Sequence, residues 1–167
     1  MKVFGLAGWS GSGKTTLLVR LIPELIRRGL TVSTCKHAHH TFDVDKPGKD
    51  SYEHRAAGAR QVMVVSRQRW ALMHELRDEA EPSLDEALSH MGDVDLVLIE
   101  GFKRYPHDKL EVFRPDNDSA PLWPDDPHVV AVASDGPLPN LDRPRLNLND
   151  TVAIADFITT HCRLDTG

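Results

Sequence analysis

Apolar positions along the chain follow two patterns, short continuous runs and longer stretches with helical spacing. Lys2-Val3-Phe4-Gly5-Leu6-Ala7 is a short apolar run that suits a buried first strand. Leu96-Val97-Leu98-Ile99 is continuous, the sign of a strand buried on both faces of a parallel sheet, and His128 to Ala133 reads the same way. Between the first two runs, Leu17, Leu18, Leu21, Ile22, Leu25 and Ile26 form one helical stripe, with Arg20, Glu24, Arg27 and Arg28 on the wet face. Pro23 removes one backbone bond inside that helix, so a kink is expected, and Gly29 supplies the stop. Leu30 to Cys35 is read as the second strand, with Cys35 as buried filling. Ser51 is a candidate N-cap for a short helix through Arg60. Gln61 to Val65 and Trp70 to Leu76 suit a hairpin around Ser66-Arg67-Gln68-Arg69. Ser83 caps a helix to about Met91, Lys109 to Arg114 alternates like a strand, and Asp150 caps a last helix through about His161. The proline- and aspartate-rich stretch from Pro115 to Pro127 is expected to be loop.

Strands alternating with helices predict an α/β fold, a P-loop architecture with a mostly parallel sheet flanked by helices and an antiparallel hairpin extension. A single nucleotide-binding domain is expected over residues 1–161, with a tail over 162–167. Apolar residues make up 40% and charged residues 27%, a globular composition that excludes wholesale disorder. The net charge of −5 supplies no general field for nucleic acid. No apolar run reaches the roughly 20 residues a membrane helix needs. The chain enters its first strand directly, so no signal peptide is expected, and its two cysteines, Cys35 and Cys162, lack metal or disulfide spacing. A cytoplasmic protein is the expectation.

The eight residues Gly8 to Thr15, G-W-S-G-S-G-K-T, fill the template G-x-x-x-x-G-K-[ST], between an apolar strand and a helix. Glycines at 8, 11 and 13 let the backbone approach phosphate oxygens, and amides of the turn and of the helix N-terminus face the anion. Gly11, Ser12, Gly13, Lys14, Thr15 and Thr16 are therefore the candidate triphosphate ligands. Lys14 reaches the β- and γ-phosphates, and Thr15 places its hydroxyl on Mg2+. Trp9 stands at a free position of the loop and is left unassigned.

Glu100, after the buried run Leu96–Ile99, is the candidate second acidic group, whose ionised carboxylate needs cationic compensation such as Mg2+. Gly101 suits either an amide on the γ-phosphate or a plain turn. The polar segment His37–Arg55 has three readings. It binds an anion through Lys36, Lys49 and Arg55, binds a metal through its histidines, or is a solvated loop. Asp135, in A-S-D-G, is either a guanine reader or a turn aspartate, and no N-K-x-D occurs in the chain.

G-W-S-G-S-G-K-T-T, then K-H-A-H-H-T-F-D-V-D-K-P-G-K-D-S-Y-E-H-R-A-A-G-A, then V-L-I-E-G-F-K and K-L-E-V-F-R, resemble the molybdopterin-guanine dinucleotide biosynthesis adaptor proteins, MobB. The resemblance covers residues 3 to about 114 and is loose from Pro115 on. It implies a homodimeric GTP-binding adaptor with weak GTPase activity, which assists the guanylyltransferase that joins GMP to molybdopterin. It implies that Gly11, Gly13, Lys14, Thr15 and Thr16 hold the triphosphate and Mg2+, with Glu100 and Gly101 as the second acidic motif. The His37–Arg55 segment would then face the nucleotide, the pterin phosphate or the partner. Arg55 or Arg60 is a candidate cation for hydrolysis. Two other classes share the loop: an ATP-dependent small-molecule kinase, disfavoured by the lack of an arginine-rich lid, and a nickel-delivery GTPase, suggested by His37, His39 and His40.

Overall fold

In the computed structural model, each apolar run becomes a strand because only a paired backbone can be buried without loss of hydrogen bonds. The described residues are 1–38, 42–103, 105–117 and 119–165. In chain order the elements are β1 (Lys2–Ala7), α1 (Lys14–Arg27), β2 (Val32–Lys36), α2 (Asp50–Ala56), β3 (Gln61–Val65), β4 (Trp70–His74), α3 (Leu84–Ser89), β5 (Leu96–Glu100), β6 (Lys109–Phe113), β7 (Val129–Ser134), β8 (Arg145–Asn147) and α4 (Thr151–Cys162). They fall into two compact units, one built from Met1–His37 with Glu86–Gly167, the other from Ala38–Asp85.

The first unit carries a six-stranded sheet in the order β2-β5-β1-β6-β7-β8, and every pairing in it is parallel. Lys2–Leu6 of β1 run in register with Leu96–Glu100, so Glu100 ends level with Leu6, just before the phosphate loop. On one face Phe4, Leu6, Leu96, Leu98, Leu110 and Val112 pack against Leu17, Leu21 and Leu25 of α1 and Ile154 and Ile158 of α4. Each fully buried leucine or isoleucine in that layer contributes about 2 kcal/mol relative to exposure. The other face carries a smaller cluster of Trp123, Val129 and Val132 with Phe113, Leu122, Leu138 and Leu141.

Several expectations shift by a residue or two. β2 ends at Lys36, β7 runs Val129–Ser134, and α4 extends to Cys162. Asp150 caps α4 as expected, its carboxylate accepting from the Ala153 amide at 2.9 Å. α1 continues through Pro23 as one helix and stops at Gly29, but Ile26 is 55% exposed and is not part of the buried stripe. Arg20 and Arg28 are not simply wet. Arg20 donates to the Leu148 carbonyl at 2.9 Å, while Arg28 bridges Glu24 of α1 (2.9 Å) and Asp156 of α4 (2.6 Å). Cys35 is only half-buried. β6 does not alternate with solvent: Lys109 and Glu111 are as buried as Leu110 and Val112.

The second unit holds the antiparallel β3–β4 hairpin, closed at Ser66, whose amide donates to the Arg69 carbonyl at 2.8 Å. β4 ends at His74, short of Leu76. α2 begins at Asp50 with Lys49, not Ser51, at its N-cap, and ends at Ala56. No helix among the described residues is long and apolar enough to cross a membrane.

Candidate functional site

Ala7 ends β1, and the chain must reverse to start α1 over the same sheet face. Gly8 makes that reversal at φ +135°, where a Cβ would lie 2.5 Å from the Val112 carbonyl oxygen of β6. Glycine alone fits. Gly13 is the N-cap of α1, in the left-handed region at φ +102°; no side chain caps the helix and no acidic residue stands in its first turn. The first amides of α1, from Lys14, Thr15 and Thr16, are thus left to an outside acceptor, with the helix dipole behind them. Lys14 folds back over the loop, its ammonium donating to the carbonyls of Gly8 (2.9 Å) and Trp9 (2.8 Å). An ammonium has three protons, so one remains for an anionic ligand. Ser12 is 3% exposed, buried beneath the loop.

Glu100 ends β5 beside this loop. Its Oε1 accepts from the Thr15 hydroxyl at 3.2 Å and lies 3.8 Å from Lys36 Nζ at the end of β2. The cation that a strand-end carboxylate requires is thus partly supplied by Lys36. Burial holds the Lys14 ammonium below the usual lysine range; Glu100 opposes that shift, while Lys103 and Lys36 add to it. Four charged side chains therefore share one locus. A hydroxyl and a carboxylate oxygen at the strand end are hard donors of the kind Mg2+ takes.

Gly101 has φ +98°, and a Cβ there would sit 2.9 Å from His37 Cβ and 3.2 Å from the His37 carbonyl oxygen. Its glycine is required by that approach. The His37 amide donates to the Glu100 carbonyl at 2.9 Å and its ring packs on Phe102 at 4.6 Å, so β2 and β5 are locked together where they deliver Lys36 and Glu100.

Two residues that sequence reasoning did not single out join the loop. Arg114, just past β6, donates to the Ser12 carbonyl at 3.1 Å and pairs with Asp135 beyond β7. Asp135 is therefore engaged through one of its two carboxylate oxygens. Lys103 lies over the Trp9 ring at 4.2 Å from its centroid, while the Trp9 indole N–H donates to the Ala120 carbonyl at 2.6 Å. The signals for both were present, G-F-K directly after Glu100 and Arg114 directly after β6, but only the tertiary fold brings them to the glycine turn.

In the second unit, Arg55 does not offer a free guanidinium to a phosphate. It bonds Asp45 at 2.8 Å and Asp43 at 3.1 Å, and pairs with Glu75 at 3.5 Å. Arg60 pairs with Glu79. His39 and His40, named for the metal reading, lie outside the described residues. Among the described residues no group of three or more His, Cys, Asp or Glu side chains gathers as a metal site.

The family model described as molybdopterin guanine dinucleotide synthesis protein B, MobB, matches residues 3–135. The molybdopterin-guanine dinucleotide biosynthesis adapter protein of Escherichia coli K12 is 51% identical over 93% of this chain and 90% of its own. Its Haemophilus influenzae counterpart is 45% identical over 93% and 86%. A solved MobB homolog from Bacillus stearothermophilus superposes with a TM-score of 0.76 at 26% identity, covering 99% of this chain and all of the other.

Proposed function

The chain belongs to the MobB family, and from that premise we propose that it is an adapter in molybdopterin guanine dinucleotide biosynthesis that binds GTP with Mg2+ and hydrolyses it slowly. The single observation that supports the nucleotide best is the uncapped N-terminus of α1 under Lys14, with Thr15 and Glu100 at 3.2 Å beside it. Loop and helix amides receive the β- and γ-phosphates. Lys14 neutralises the charge between them, and Thr15 and Glu100 hold Mg2+ or its waters. The ion, when bound, offsets the charge that builds on the phosphate oxygens. Gly101, beside Glu100, can present its amide to the γ-phosphate. Asp135 stands as the base reader.

Slow turnover follows from the same inventory. Hydrolysis needs a positioned water and an added cation at the transition state, and the two arginines proposed for that task, Arg55 and Arg60, are already paired. The partner that completes the reaction is proposed to be the molybdopterin guanylyltransferase, with molybdopterin as its other substrate. The working form is proposed to be a cytoplasmic homodimer. The hairpin supports association, since Met63, Val65 and Trp70 are each more than half exposed.

The test is reconstitution. Molybdopterin, GTP, Mg2+ and the guanylyltransferase should form the dinucleotide cofactor faster when this chain is added, and the Lys14→Ala variant should give no acceleration. Equal rates with wild type and variant would remove the loop from the adapter role.

A further inference from the structure

The motif accounts for one lysine at the phosphates, yet the fold delivers another to the same loop. Lys103 comes from the turn after β5, and its backbone is held in place with unusual care. Gly101 and Phe102 both adopt positive φ, +98° and +47°, and Phe102 is secured by its ring contact with His37 at 4.6 Å. Positive φ at a phenylalanine costs energy and persists only where its surroundings enforce it. The Lys103 carbonyl then accepts from Lys109 Nζ at 3.1 Å. Lys109 is 1% exposed and is anchored by Asp126 at 3.0 Å and the Tyr105 carbonyl at 2.9 Å. The buried Lys109, paired with Asp126, thus fixes the peptide from which the Lys103 ammonium reaches the phosphate loop.

That ammonium meets the face of Trp9, a residue of the loop itself, at 4.2 Å from the ring centroid. Trp9 is steadied in turn by its bond to Ala120. Among the described residues no carboxylate pairs with Lys103, whereas Lys36 is paired with Glu100 at 3.8 Å. An aromatic face attracts a cation weakly, and a phosphate oxygen with full charge attracts it more strongly. Lys14, Lys36 and Lys103 against Glu100 leave a surplus of two positive charges, roughly the charge that a magnesium-complexed nucleoside triphosphate needs matched; a diphosphate needs about one fewer. Lys103 helps to lower the proton affinity of Lys14, which agrees with a shared locus.

We propose that Lys103 is a second phosphate-binding lysine of this site, seated on Trp9, which contacts the γ-phosphate and makes the site prefer triphosphate over diphosphate. The inference rests on the triphosphate reading given above. Its test is calorimetric titration of GTP and of GDP, each with Mg2+, into wild type, Lys103→Ala, Lys103→Gln and Lys103→Arg, with thermal melts to verify folding. Lys103→Ala and Lys103→Gln should each weaken GTP about tenfold or more and GDP less than about threefold, the loss expected for one charge-assisted bond. Lys103→Arg should restore most of the preference. GTP binding by wild type that is undiminished in both neutral variants would overturn the inference alone. So would an equal loss for GTP and GDP, which marks a role in the turn's structure. Wild type that binds neither nucleotide would overturn the triphosphate reading itself, and this inference with it.

Discussion

His107 sits two residues before β6, beside Lys109. Burial pushes its imidazole down to about 4, and Lys109 acts in the same direction, against Asp126. The unfolded chain binds that proton at the ordinary histidine value near 6.5, so between the two values the unfolded state holds more protons. Stability is full above about pH 6.5 and falls as pH drops toward 4. Denaturant melts of wild type and His107→Gln should therefore diverge in slope over that window, the variant being flatter; parallel curves would contradict the assignment. At this scale the sequence was most legible where a template fixes residue type and spacing together, as for Gly8, Gly13, Lys14 and Thr15. Arg114, Lys103 and Lys109 were not legible. Their roles come from carbonyls and rings far along the chain, and a lone lysine or arginine has no spacing to betray it.

The stretch from Pro115 to Pro127 reads as loop and has no helix or strand among its described residues. It is nonetheless tied to β6 through a buried carboxylate. Glu111 is fully buried, and its two oxygens accept from the Leu122 amide at 2.9 and 3.1 Å and from the Trp123 amide at 2.9 Å. Burial nevertheless holds its carboxyl above the usual range, against the pull of those amides and of Arg143. The loop so held carries Ala120, the acceptor of the Trp9 indole. In Glu111→Gln one oxygen becomes an N–H donor aimed at an amide, which should cost roughly 1–3 kcal/mol in unfolding free energy. Urea melts check this, and an unchanged midpoint would contradict it. The alternation read in K-L-E-V-F suggested a half-wet strand because charged positions usually face solvent. Here Lys109 and Glu111 face an interior that meets them with Asp126 and with backbone amides. β8 went unread because three residues carry too little periodicity, and its pairing with β7 is a tertiary fact.

For the whole molecule, strand identity and parallel pairing followed from continuous apolar runs, and the order β2-β5-β1 brings Lys36, Glu100 and the loop together at the carboxyl ends of these strands. The family was legible from the phosphate-loop motif, the Lys36–Ala59 segment, V-L-I-E-G-F-K and K-L-E-V-F-R taken together, and the matched family model and relatives agree with that reading. What the base of the nucleotide touches was not legible, because base recognition uses loops whose approach depends on the fold. In the proposed function this loop binds a guanine triphosphate for the benefit of a guanylylating partner. The most direct measurement is calorimetric titration of Mg2+-GTP and Mg2+-ATP into the chain, alone and with the molybdopterin guanylyltransferase present. GTP should bind at least roughly tenfold more tightly than ATP, and the partner should alter GTP affinity, since coupled sites shift each other's affinities reciprocally. Preference for ATP, or a GTP affinity indifferent to the partner, would contradict that function.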